Sequence, residues 1–146
     1  MADQATERMT IEAPLARCFE VATDFERYPE WARDVKEAEV VARDDEGRPL
    51  QVAFRAGAMG HSAAYTLRYD WTEAPRRLSW ALEEGDVVRR LDGYYTFEPL
   101  VDSTDVTYHV AVELAVPLPG FVKRRAEARI LHTALGELKA AVESGA

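Results

Sequence analysis

Leu118-Pro119-Gly120-Phe121-Val122-Lys123-Arg124-Arg125-Ala126-Glu127-Ala128-Arg129-Ile130-Leu131-His132-Thr133-Ala134-Leu135-Gly136-Glu137-Leu138-Lys139-Ala140-Ala141-Val142 is the stretch that decides the fold. Before it the sequence alternates; from Pro119 onward it takes a helical period. Ala126, Ile130, Leu131, Ala134, Leu135, Leu138, Ala141 and Val142 recur at three- and four-residue steps and make one apolar stripe. Pro119 suits a first turn and Gly145 a stop. Roughly 24 residues at 1.5 Å each give about 36 Å, enough to cross a small domain. No second long helix is in sight, so the middle of the chain must supply a sheet for this one to lie on.

Charge interrupts that stripe. At about 100° per residue Glu127 projects near its middle, with Lys123 and Arg124 on its margins. Burying an unpaired charge is costly. Two readings follow: the first turns face a polar-lined cavity, or they overhang the sheet edge and their charges are solvated.

Upstream, six strands are expected between Asp34 and Val116. Val35 to Arg43 ends at Asp44-Asp45-Glu46-Gly47, a hairpin signal. Leu50 to Met59 turns at Gly60 into Ser62 to Glu73; Ala74-Pro75 breaks that run before Leu78, Trp80 and Leu82. Val87 to Leu100 follows the turn Glu84-Gly85-Asp86, and Asp102-Ser103 leads into Val106, Tyr108, Val110, Val112, Leu114 and Val116, the cleanest two-residue period in the chain. Turns this short join antiparallel neighbours only.

Ahead of the meander, Ala5 to Glu12 alternates weakly and suits an edge strand. Ala13-Pro14 opens a short helix with Leu15, Cys18, Phe19 and Ala22 on its buried side. Pro29 should break a second short helix near Tyr28, whose neighbours Phe25 and Trp31 either plug one end of the core or line the mouth of a pocket. The whole is α+β: a seven-stranded antiparallel sheet, two short helices and one long C-terminal helix, in one domain over residues 1–146.

Composition narrows the function. At 47% hydrophobic and 30% charged residues, the chain is globular in character, and no apolar run reaches the 18 or so residues of a membrane span. A net charge of −8 disfavours nucleic acid as a partner. The start, Met1-Ala2-Asp3-Gln4-Ala5-Thr6-Glu7, lacks the basic and apolar regions of a signal peptide, and a lone Cys18 fits a reducing cytoplasm. Cys18 reads as a small core hydrophobe rather than a nucleophile.

Several local motifs, taken in order, resemble the START-like superfamily (SRPBCC, the Bet v 1-like helix-grip fold), and within it the bacterial polyketide cyclase/dehydrase group. They are Ile11-Glu12-Ala13-Pro14 with Phe19 and Asp24, Tyr28-Pro29-Glu30-Trp31, Tyr65-Thr66-Leu67, Pro75-Arg76-Arg77-Leu78-Ser79-Trp80, Gly93-Tyr94-Tyr95-Thr96-Phe97-Glu98-Pro99, Thr104-Asp105-Val106-Thr107-Tyr108 and Val116-Pro117-Leu118-Pro119-Gly120. The resemblance implies a curved sheet gripping the long helix around a cavity for hydrophobic ligands. Applied here, it makes Phe54, Tyr65, Leu67, Tyr69, Trp80, Leu91, Tyr95, Phe97, Tyr108, Val110 and Val112 candidate wall residues from the sheet. Phe121, Arg124, Glu127, Ala128 and Leu131 are the candidates from the helix. The plain alternative is that the same aromatics simply fill a core.

No Ser-His-Asp order, GxSxG, P-loop, GxGxxG or HExxH occurs. His61, His109 and His132 are scattered without partners at ligand spacing, so neither metal nor cofactor is expected. The expected activity is binding of a small hydrophobic molecule (a lipid, isoprenoid or polyketide-like compound) without stable membrane insertion. The alternative is a polyketide cyclase/dehydratase in the same pocket, with Arg124 polarising a carbonyl or enolate and Glu127 or Tyr65 moving a proton. A third reading is a protein-interaction module.

Overall fold

The computed structural model describes residues 3–58, 61–115 and 119–145. The side chains of Asp3, Ala58 and His61 are outside that description. In chain order the elements are β1 (Asp3–Ile11), α1 (Leu15–Thr23), a 3₁₀ helix (Phe25–Glu30), β2 (Val35–Arg43), β3 (Pro49–Ala58), β4 (His61–Asp70), β5 (Arg77–Gly85), β6 (Val88–Pro99), β7 (Thr104–Leu114) and α2 (Gly120–Glu143). The described residues form a seven-stranded sheet in the order β1-β7-β6-β5-β4-β3-β2, with every pairing antiparallel. This is the α+β arrangement expected from the sequence, with β1 at an edge.

Most expected boundaries fall within a residue or two. The largest differences are β5, which runs on through Glu84 and Gly85 of the expected turn, and β4, which ends at Asp70 rather than Glu73. Asp70 Oδ1 accepts the Thr72 N–H at 2.9 Å and the Thr72 hydroxyl at 2.7 Å, and this side-chain turn competes with the ladder. Met59, Gly60 and Val116 to Leu118, assigned to strand ends, a turn and the helix start, lie outside the described residues. At the β2–β3 turn Gly47 takes φ of 81°, which favours glycine, while Asp44 Oδ1 accepts the N–H groups of Glu46 and Arg48 at 2.9 Å each.

Helix α2 presents two adjacent rows. Glu127, Leu131, Leu135, Leu138, Ala141 and Val142 are buried and form its core row, and the helix packs on β1, β7 and α1. The burial of Glu127 corrects both expectations for it. It is neither solvated nor a cavity group: at 1% exposure its Oε2 accepts the Leu114 N–H at 2.9 Å, tying the end of β7 to the helix. That hydrogen bond offsets part of the cost of burying the carboxyl group. Cys18 is fully buried, and burial pushes its thiol upward, as a core residue's should.

Candidate functional site

The second row of α2 faces a partly open space between helix and sheet. Val122, Ala126, Ile130, Thr133, Ala134 and Glu137, again at three- and four-residue steps, look across a cavity of about 240 Å³. Opposite them stand Phe54, Tyr65, Leu67, Tyr69, Trp80, Leu91, Tyr95, Tyr108 and Val112, all inward residues of the sheet. Two-residue periodicity puts them on one face, and antiparallel register sets them side by side: Tyr65 opposite Phe54, Trp80 opposite Tyr69, Tyr95 opposite Tyr108. Tyr28, Trp31, Ala32, Asp34 and Val35 close one end from the 3₁₀ helix and the segment leading into β2.

Trp80 anchors the wall. Its ring centroid lies 6.1 Å from that of Tyr69, 5.4 Å from Tyr95 and 5.8 Å from Tyr108. The indole crosses β6 at Gly93, where an added Cβ would come within 3.0 Å of it and 2.1 Å of the His109 carbonyl. Only glycine permits that approach.

Electrostatics divide the wall into donors and carboxylates. Burial raises the ionisation of Tyr28, Tyr69, Tyr95 and Tyr108 well out of the ordinary phenol range, and burial followed by the Asp34 charge pushes Tyr65 up to about 12. All five stay protonated near neutrality. Two carboxylates reach the wall. Asp34 is held below the usual range by its two bonds to the Arg129 guanidinium, at 2.7 and 2.8 Å, and Glu137 Oε2 accepts the Arg33 N–H at 3.0 Å.

The structure separates the sixteen residues singled out from the sequence. Phe54, Tyr65, Leu67, Tyr69, Trp80, Leu91, Tyr95, Tyr108 and Val112 line the cavity. Phe97 and Val110 are sealed in the core at 1% and 0% exposure, Phe97 edge-on to Phe19. Phe121 is 62% exposed and Arg124 is exposed, and neither lines the cavity. Glu127 and Leu131 belong to the core row, and Ala128 is half-buried outside the wall. The pairing of Arg124 with Glu127 or Tyr65 is therefore not assembled here: Arg124 faces solvent, Glu127 serves Leu114, and Tyr65 alone lines the space. Asp34, Glu137 and the Val122–Ala126–Ile130 row were missed. The four-residue spacing of that row was the signal for it; Asp34 and Glu137 carried none.

His109 lies outside the cavity, its Nδ1 2.7 Å from the Thr6 hydroxyl and its ring stacked on Tyr94; His132 Nδ1 sits 3.3 Å from Glu7 Oε2. Among the described residues no group of three His, Cys, Asp or Glu side chains has metal-holding geometry, and no helix is long and apolar enough to cross a membrane.

A family model described as polyketide cyclase / dehydrase and lipid transport matches residues 2–143. A search of curated protein sequences returns no match. Among solved structures, a START superfamily protein from Mycobacterium smegmatis is 26% identical, with 98% of this chain and 99% of that one covered at a TM-score of 0.84. A protein from Thermus thermophilus is 24% identical over 99% of both chains, with a TM-score of 0.83. An aromatase/cyclase from a Streptomyces species is 15% identical over 98% of this chain and 94% of that one, at 0.81. The last two likenesses concern the fold alone.

Proposed function

The chain belongs to the polyketide cyclase / dehydrase and lipid transport family, and from that premise we propose that it binds a small hydrophobic molecule between the sheet and α2. One observation carries the reading: a partly open cavity of about 240 Å³ between the sheet and α2, walled by Phe54, Leu67, Trp80, Leu91, Val112, Ala126 and Ile130. Interiors normally close such spaces, because the lining loses its contacts. An apolar ligand restores those contacts and removes the wall from water, at about 25 cal/mol per Å².

Binding is favoured over cyclase or dehydratase chemistry. Each wall carboxylate already holds a partner, and the tyrosines keep their own protons near neutrality, so none of them stands ready as a base. A cytoplasmic carrier or sequestering protein is the role that suits the single buried thiol.

The test uses N-phenyl-1-naphthylamine, a neutral fluorophore that brightens in apolar surroundings. Saturable one-to-one binding to the protein, abolished in Ala126→Trp, is expected, since the added indole fills the space from α2. Equal binding by the variant, with its fold intact by circular dichroism, would overturn the assignment.

A further inference from the structure

The wall holds more hydrogen-bond donors than the protein satisfies. Tyr28 donates its hydroxyl to the Ala22 carbonyl. The hydroxyls of Tyr65, Tyr69, Tyr95 and Tyr108 and the Trp80 indole N–H have no partner among the described residues. Glu7 Oε1 is the one side-chain nitrogen or oxygen among those residues that is both fully enclosed and unpartnered. The five donors therefore open onto space. Trp80, Tyr69, Tyr95 and Tyr108 are only 8%, 5%, 5% and 6% exposed, so that space is the cavity. Unpaired polar groups at a buried site call for an explanation, and indole N–H donates only.

Size and charge narrow what can answer them. A cavity of about 150 Å³ holds benzene, and drug-sized ligands occupy about 300–1,000 Å³. The present 240 Å³ lies between, which is room to enclose two or three rings but not a long acyl chain. The charged side chains on the wall, Asp34 and Glu137, are both acidic, so an anion is repelled.

Resting on the reading that the cavity binds a ligand, the structure assigns that ligand to compact, neutral ring compounds bearing carbonyl or ether oxygens, received by the Tyr69, Tyr95, Tyr108 and Trp80 donors. Long-chain lipids and uncyclised polyketide chains fall outside this class. Water displaced from these donors by a group that cannot accept a hydrogen bond costs affinity; a carbonyl replaces it.

The experiment is displacement of N-phenyl-1-naphthylamine by 1-tetralone and by its carbonyl-free parent, tetralin, from the unmodified protein, Tyr95→Phe and Tyr108→Phe. Removing a hydroxyl should weaken 1-tetralone several-fold, up to roughly tenfold, and strengthen tetralin. Damage to the fold would weaken both, so opposite signs are diagnostic. No change, or a change of one sign for both competitors in both variants, overturns the assignment while leaving the cavity's ligand binding intact. Palmitate displacing the probe as well as 1-tetralone also overturns it. If the fluorophore itself fails to bind the unmodified protein, the binding reading falls and this inference with it.

Discussion

Glu127→Ala tests the join between α2 and the sheet. In the native chain the carboxylate is 1% exposed and accepts the Leu114 N–H at 2.9 Å, at the end of β7. Truncation leaves that N–H without its acceptor, which costs about 1–3 kcal/mol. The void adds roughly 1 kcal/mol more. The expected loss is about 2–4 kcal/mol, or a Tm lower by roughly 6–12 °C for a domain of this size. Glu127→Gln keeps an oxygen and the shape and should lose about 1 kcal/mol. Urea unfolding followed by tryptophan fluorescence measures both. If Glu127→Ala falls within about 0.5 kcal/mol of the native protein, as surface substitutions do, the buried tie is refuted and the first turns of α2 are solvated after all.

Gly93→Ala, whose Cβ would sit 2.1 Å from the His109 carbonyl, should cost about 3 kcal/mol and shift the Trp80 emission; denaturant melts and emission spectra check it. Arg129→Ala removes the partner that depresses the Asp34 ionisation, yet both side chains are partly exposed, so solvent screens the pair and the loss at pH 7 is small. A depressed carboxyl stabilises above its unfolded value of about 3.9 and loses that contribution as pH falls through the folded value; urea melts should show the variant's deficit at pH 7 and little at pH 3. The raised phenols carry the opposite sign: their contribution is present below about pH 10 and fades as pH rises. At pH 10 the 295 nm absorbance of the folded protein should therefore rise much less than that of the unfolded chain, and an equal rise would contradict the buried hydroxyl array.

The fold was legible because two periods were clean. Alternation through Val106, Tyr108, Val110, Val112 and Leu114 and the stripe from Ala126 to Val142 named the sheet and its covering helix, and short turns left only antiparallel pairing. The sheet side of the cavity was legible for the same reason, since inward residues alternate whatever their neighbours do. The helix side was not. Its stripe is wide enough for two rows about 100° apart, and which row meets the core depends on the roll of α2 over β1 and β7. Glu127 misled because a carboxylate on an apolar stripe resembles a cavity group, whereas its partner is a backbone N–H that has no signature in sequence. Asp34 and Glu137 were invisible for a related reason: each reaches the wall through contacts 95 or more residues apart in the chain.

The central claim is that the space between the sheet and α2 is a ligand site. A crystal structure of the protein grown with N-phenyl-1-naphthylamine tests it most directly. The account predicts the fluorophore lodged between Trp80, Tyr95, Ala126 and Ile130, with α2 still seated on β1 and β7. Fluorophore bound on the outer face of the sheet, with side chains collapsed to fill the interior, would contradict it.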